Sequence, residues 1–240
     1  MDVIQGNYKL AAGQQTLSNR ASRYERLQPG ISVANSRLSA GTLGMFVIDK
    51  LSGKPAILSN CHVLGGSLGD SIVQPGPVDG GKAPRDTVAK LERMILDQDG
   101  DAAIAILTNS RPFDPTAIDL NIIPDSIALP QNGDIVVKSG RTTKVTRGKI
   151  VGMGVYPMEF PGARVVRING FMIVPISSSN KVAEISYTGD SGSIWIKEGT
   201  RTAVGLNFSG EPESSPLADY ALACFISRVF FRLKIQPLIS

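Results

Sequence analysis

The chain carries a single histidine, His62, so any chemistry that needs an imidazole must use it. It stands in Leu58-Ser59-Asn60-Cys61-His62-Val63-Leu64, at the end of an apolar run. Two other short segments could work with it. One is Asp101-Ala102-Ala103-Ile104-Ala105, an acid leading into apolar residues, and the other is Gly189-Asp190-Ser191-Gly192. A serine hydroxyl is a poor nucleophile at neutral pH and needs a base beside it, and that base needs a third group to fix its tautomer. Imidazole suits the base role because its pKa lies near neutrality. A buried carboxylate on the other ring nitrogen would orient the ring and stabilise the imidazolium. His62, Asp101 and Ser191 are therefore the candidate catalytic set, and the chemistry is acyl transfer. Asp97 and Asp99 lie close by. Asp101 is preferred because the apolar run starts right after it, with Asp99 as the alternative. An oxyanion hole needs backbone N–H groups turned to one point, which favours glycine. The amides of Gly189 and Ser191 would supply them.

Other chemistries find less support. The two cysteines, Cys61 and Cys224, are far apart and show no CxxC spacing, so no metal site is expected, and no cofactor. One cysteine pair is not a disulfide framework, and free thiols in a reducing compartment are expected. The net charge is +4 and the pI about 9.1, a small excess spread over the chain. It gives no reason to expect a nucleic-acid partner. The group Lys138, Arg141, Lys144, Arg147 and Lys149 reads as a solvated hairpin. No stretch approaches the ~20 apolar residues of a membrane span. The start, MDVIQGNYKLAAGQQ, lacks a basic-then-apolar leader pattern. A cytoplasmic protein without a membrane partner is the expectation.

The elements that must position these residues are short. With 25 glycines and 15 prolines, the composition favours strands and turns over long helices. Residues 1–37 are polar and weakly patterned. They read as an N-terminal extension, helical in part around 15–27, with 28–36 as a polar, exposed stretch; whether the chain cuts itself there is left open. Strand-like runs follow at 41–48, 55–60, 71–74, 87–93 and 101–107. A second set lies at 134–140, 146–155, 163–174, 182–186, 192–196 and 201–208. The two sets predict an all-β chain of two packed barrels, at 38–130 and 131–218. In 219–240, Leu222, Phe225, Ile226, Val229, Phe230 and Leu233 form one apolar stripe, which predicts a C-terminal helix.

The order His62, Asp101, Ser191 has spacings of 39 and 90 residues. The order is that of the chymotrypsin triad, whose spacings are about 45 and about 93. The segments GTLGMFV, LSNCHVL, QPGPVDGG, DAAIAI, KSGRTTKVTRGKI and GDSGS together resemble the trypsin-like, chymotrypsin-fold serine peptidases, and most of all their intracellular bacterial and plant-type branch. The resemblance covers roughly residues 38–210. It implies two six-stranded antiparallel β-barrels with the active site between them. It also implies His62 as general base, Asp101 as its orienter, Ser191 as nucleophile and a protein or peptide substrate. Asp190 matches the acid that pairs with a freed N-terminus in activated zymogens of the family. No junction of the basic-residue-then-Ile-Val-Gly-Gly kind is present, so Asp190 needs another partner. In the family the residue six before the nucleophile often floors the primary pocket. Here that is Ile185, favouring an apolar or small side chain, with Asn207 and Phe208 on the facing strand. A shift of one residue would put Glu184 there and favour arginine or lysine. The alternative function is a latent or silent peptide-binding module that needs an activating partner.

Overall fold

A computed structural model describes residues 19–160, 165–176, 184–211 and 219–238. The first sheet is built from β1 (Ser32–Asn35), β2 (Gly41–Thr42), β3 (Met45–Asp49), β4 (Pro55–Ser59), β5 (Ser71–Val73), β6 (Thr87–Asp97) and β7 (Gly100–Leu107). After β8 (Ser126–Ile127) come β9 (Ile135–Gly140), β10 (Lys144–Met158), β11 (Val166–Pro175), β12 (Ile194–Lys197), β13 (Thr202–Gly210), β14 (Ala221–Phe225) and β15 (Ile235–Pro237). Two helices are functionally relevant, α1 (Cys61–Leu64) and α2 (Ile226–Leu233).

The second sheet runs β12-β9-β10-β11-β14-β13 and closes through β12–β13 pairing, giving a six-stranded barrel, with β8 added at the edge. The first runs β15-β3-β4-β7-β6-β5-β1-β2. Only Leu43 and Gly44 separate β2 from β3, so this sheet curls until both flanks meet in one bent segment. The chain is thus mostly β, one closed barrel beside one curled sheet, with a C-terminal helix.

β7 shows why the sequence folds this way. Nearly every residue of Gly100–Leu107 is buried, because alternate side chains enter different cores. Ala103 and Ala105 pack inside the first sheet with Val33, Phe46 and Ile57. Ala102 and Ile104 face the other way, joining Leu58, Ile194, Leu206 and Phe208 between the two units. A third cluster around Phe171, Trp195 and Val204 fills the second barrel.

The structure moves several expected boundaries. Residues 1–18 of the expected extension lie outside the described residues, but the sheet begins at Ser32, inside that segment. All of β1 is buried, so 28–36 is not an exposed cleavage site. The described part of the helix expected at 15–27 is a single turn, Asn19–Ala21. Of the strand expected at 182–186, residues 182–183 lie outside the described residues and 184–186 are not strand. The helix starts at Ile226. Leu222 lies in β14, whose register with β11 runs from Gly170↔Cys224 to Ile173↔Ala221. β15 then crosses back to pair with β3, Ile235↔Asp49, tying the C-terminal segment to the first sheet.

Candidate active site

β4 and β7 pair antiparallel, with Ser59↔Ala103 the last pair in register. This places the chain leaving β4 beside the chain entering β7. Asn60 continues from β4 and donates from Nδ2 to the Asp101 carbonyl oxygen at 2.6 Å. The single turn α1 then follows. It presents His62 to Asp101 twice: the His62 backbone N–H donates to Oδ1 at 3.1 Å, and ring Nδ1 is hydrogen-bonded to Oδ2. The Asp101 side chain has no exposure, whereas that of His62 keeps 12%. The ring therefore has one nitrogen held by a buried acid and an edge open to solvent. Phe160 lies 5.9 Å from the imidazole, centroid to centroid. Asp99 faces elsewhere, paired with Arg228 and Arg232 of α2.

His62 and Ser191 line one cavity of about 110 Å³, with Gly189, Ser186, Asn207 and Phe208 also on its walls. Among the described residues the Ser191 hydroxyl and the imidazole are not joined by a hydrogen bond. Such contacts are often long before substrate binds. Gly189 has φ +97°, a left-handed conformation that a side chain would strain. The amides of Asp190, Gly192 and Ser193 donate to Tyr187, Asn207 and Asp190 carbonyls. Those of Gly189 and Ser191 donate to no acceptor among the described residues.

The first sheet grips this loop through Thr42. Its N–H donates to the Ser191 carbonyl at 2.7 Å, its hydroxyl to the Gly189 carbonyl at 2.8 Å, and its own carbonyl accepts from Ser59 Oγ at 2.7 Å. From the other side Asp190 anchors the loop. Its carboxylate is fully buried and accepts from Lys138 Nζ at 3.2 Å, Thr142 N at 2.8 Å, Thr143 Oγ1 at 2.6 Å and Tyr187 N at 3.0 Å. The partner that Asp190 needed is therefore internal. Lys138 is equally buried, which corrects its reading as part of a solvated hairpin, although Lys144, Arg147 and Lys149 are exposed. Burial pushes the Lys138 ammonium below its usual range, and the Asp190 charge opposes that shift.

Ile185 departs from expectation. It is buried in the second barrel's core, close to Gly148, and does not line the cavity. Glu184 is exposed. Ser186 takes the wall position instead and is held by Asn207 Nδ2 at 3.0 Å. Asn207 Oδ1 in turn accepts from Trp195 Nε1 at 3.1 Å. Both cysteines are free. Burial pushes each thiol up to about 12, with the Asp101 charge adding to the shift, so neither is a thiolate nucleophile. Among the described residues no cluster of three or more His, Cys, Asp or Glu could hold a metal ion, and no helix is long and apolar enough to cross a membrane.

No protein-family model matches the chain, and no curated protein does. Solved structures match it over most of its length. Thermobifida fusca protease A is 13% identical and covers 89% of this chain and all of its own, with a TM-score of 0.64. Cellulomonas bogoriensis chymotrypsin, 12% identical, likewise covers 89% of this chain and all of its own at 0.62. The chain has the chymotrypsin-type two-barrel fold. A glutamic acid-specific serine protease, which uses a histidine triad in substrate binding, is 18% identical and covers 88% of this chain and all of its own at 0.63. With one histidine, this chain cannot build a histidine triad.

Proposed function

We propose that the protein is a serine endopeptidase acting through Ser191, His62 and Asp101. The observation that carries this reading is the double attachment of His62 to buried Asp101, on the wall of a cavity that Ser191 shares. Ser191 Oγ attacks the peptide carbonyl carbon while His62 Nε2 takes its proton. Asp101 holds the ring and stabilises the imidazolium without becoming protonated. The oxyanion of the tetrahedral intermediate is met by the unengaged N–H groups of Gly189 and Ser191. Losing one such donor typically costs about 2.7–4 kcal/mol of transition-state stabilisation. The C–N bond then breaks, His62 gives its proton to the leaving amine, and an acyl-enzyme remains on Ser191. Water, deprotonated by His62, attacks the ester carbonyl carbon, the C–O bond to Ser191 breaks to release the acid product, and His62 returns the proton to Ser191 Oγ.

An extended substrate has a strand edge to join. The β12–β13 pairing ends at Ile194↔Leu206, so the stretch through Ser209 and Gly210 passes beyond β12 and lines the cavity. The internal Lys138–Asp190 pair supports a site that needs no freed N-terminus and no activating partner. We place the protein with the intracellular branch of these peptidases, in a reducing compartment; its two unpaired thiols support this. Hydrolysis of an unfolded protein such as casein by the wild type, and none by Ser191→Ala, is the expected result. Equal hydrolysis by both would refute the reading.

A further inference from the structure

Arg20 precedes the first sheet in the chain, yet its side chain ends against the second barrel. Nη1 donates to Ser139 Oγ at 2.8 Å and to the Gly140 carbonyl at 2.7 Å. Nη2 donates to the Ile118 carbonyl at 3.3 Å and to Asp119 Oδ2 at 2.7 Å. Ser139 Oγ in turn donates to the Ile118 carbonyl at 2.8 Å. The Arg20 side chain is 1% exposed, whereas that of its carboxylate partner, Asp119, is 63% exposed. A cation buried beside a solvated acid is costly, and the fold keeps this one by surrounding it with fixed acceptors.

The arm that delivers Arg20 is fastened to the first sheet. Leu27 is buried in that sheet's core, and its N–H donates to the Pro112 carbonyl. Gln74 accepts from the Tyr24 N–H at 3.0 Å and donates to the Ser22 carbonyl at 2.9 Å. Residues 20–27 therefore strap the first sheet to the end of β9.

The strap ends where the serine loop is anchored. Gly140 closes β9, and the three residues after it all hold that loop. The Arg141 N–H donates to Thr42 Oγ1 at 3.0 Å, and the same hydroxyl donates to the Gly189 carbonyl. The N–H groups of Thr142 and Thr143 donate to Asp190 Oδ1 at 2.8 and 3.1 Å. Gly140 itself packs so closely on this carboxylate that a Cβ would come within 2.3 Å of Oδ1. Its peptide thus lies between the Arg20 guanidinium and the Asp190 carboxylate.

We propose that Arg20 is a positioning residue for the oxyanion site. By fixing the Gly140 peptide it sets the β9–β10 turn, and through Thr42 and Asp190 that turn sets the Gly189 and Ser191 amides. The N-terminal arm is then part of the working site, although it touches neither His62 nor substrate. The proposal rests on the peptidase reading and deepens it.

The test compares Arg20→Met with Arg93→Met on a fluorogenic peptide and a fluorophosphonate probe, after thermal melting has shown each to be folded. Arg93 is a matched control, a part-buried arginine that pairs with buried Asp49 and donates to the Leu233 carbonyl at 3.0 Å, away from the turn. Arg20→Met should lower kcat about tenfold or more with KM within about threefold, because misplaced oxyanion donors weaken the transition state more than substrate binding. Its labelling rate on Ser191 should fall in parallel, while Arg93→Met stays near wild type in both. Should Arg20→Met fail to fold, Arg20→Lys decides: it keeps the charge but loses the fork that spans several acceptors, and its kcat should fall several-fold. A folded Arg20 variant with wild-type kcat, or an equal loss in Arg93→Met, overturns the proposal while the peptidase reading stands. A wild type that neither cuts nor labels removes both.

Discussion

Lys138 Nζ lies 3.2 Å from Asp190 Oδ2, and neither side chain has any exposure. The pair links β9 to the loop that carries Ser191. Removing one member of a buried pair leaves the other uncompensated, at about 3–5 kcal/mol. Lys138→Met should therefore lower the melting temperature and reduce kcat more than it raises KM, because the Gly189 and Ser191 amides lose their fixed arrangement. An unchanged kcat in a folded Lys138→Met protein would show that the pair does not position the loop.

Asp101 and Asp99 should separate cleanly. Asp101→Asn keeps the shape of the site but favours the wrong imidazole tautomer, and it should lower kcat by about 10⁴-fold. Asp99→Asn loses only partly exposed pairs with Arg228 and Arg232, and its kcat should stay near wild type. Steady-state kinetics on a fluorogenic peptide makes the comparison. The reverse pattern would reassign the acid.

Gly192 has φ +95°, and a Cβ there would come within 2.0 Å of Ser59 Oγ and 2.4 Å of the Thr42 carbonyl oxygen. Gly192→Ala should push the serine loop away from the first sheet, destabilise the fold by about 1–3 kcal/mol and cut activity. Denaturant melts with parallel rate measurements read both effects. Retention of both would place the contact between the sheets elsewhere.

The Asp219 carboxyl, raised by burial to about 6, sets a pH dependence of stability. A raised folded-state value means that the stabilising contribution is complete below the unfolded value near 3.8 and is lost as pH rises through about 6. Above pH 6 the wild type carries a cost of up to about 3 kcal/mol. Asp219→Asn can still accept from the Ile185 N–H but has no charge to bury. It should be more stable than wild type at pH 7.5, with the gap shrinking towards pH 4. Urea melts across this range check it, and a gap that ignores pH would refute the assignment.

Alternating and continuous apolar runs located most strands, because a half-buried or doubly buried strand must show one or the other. β1 is not legible in the sequence because Ser32-Val33-Ala34-Asn35 is short and half polar, and its burial depends on the sheet around it. β14 was hidden by an apolar run that also fits a helical stripe, and only pairing with β11 and β13 decides it. The proximity of His62 to Asp101 was legible as one segment that closes an apolar strand and another that opens one. Lys138 was not. A lysine in Ile-Val-Val-Lys-Ser-Gly reads as solvated until its partner, 52 residues on, is known. Thr42, which holds the Gly189 and Ser191 carbonyls, carries no signal in sequence at all.

The central claim is that Ser191 is a nucleophile activated by His62. The most direct measurement is to treat the wild type, Ser191→Ala and His62→Ala with a fluorophosphonate probe and map the adduct by mass spectrometry. The account predicts one adduct, on Ser191 of the wild type, and none on either variant. A folded wild type that takes no label, or a label that persists in Ser191→Ala, would contradict it.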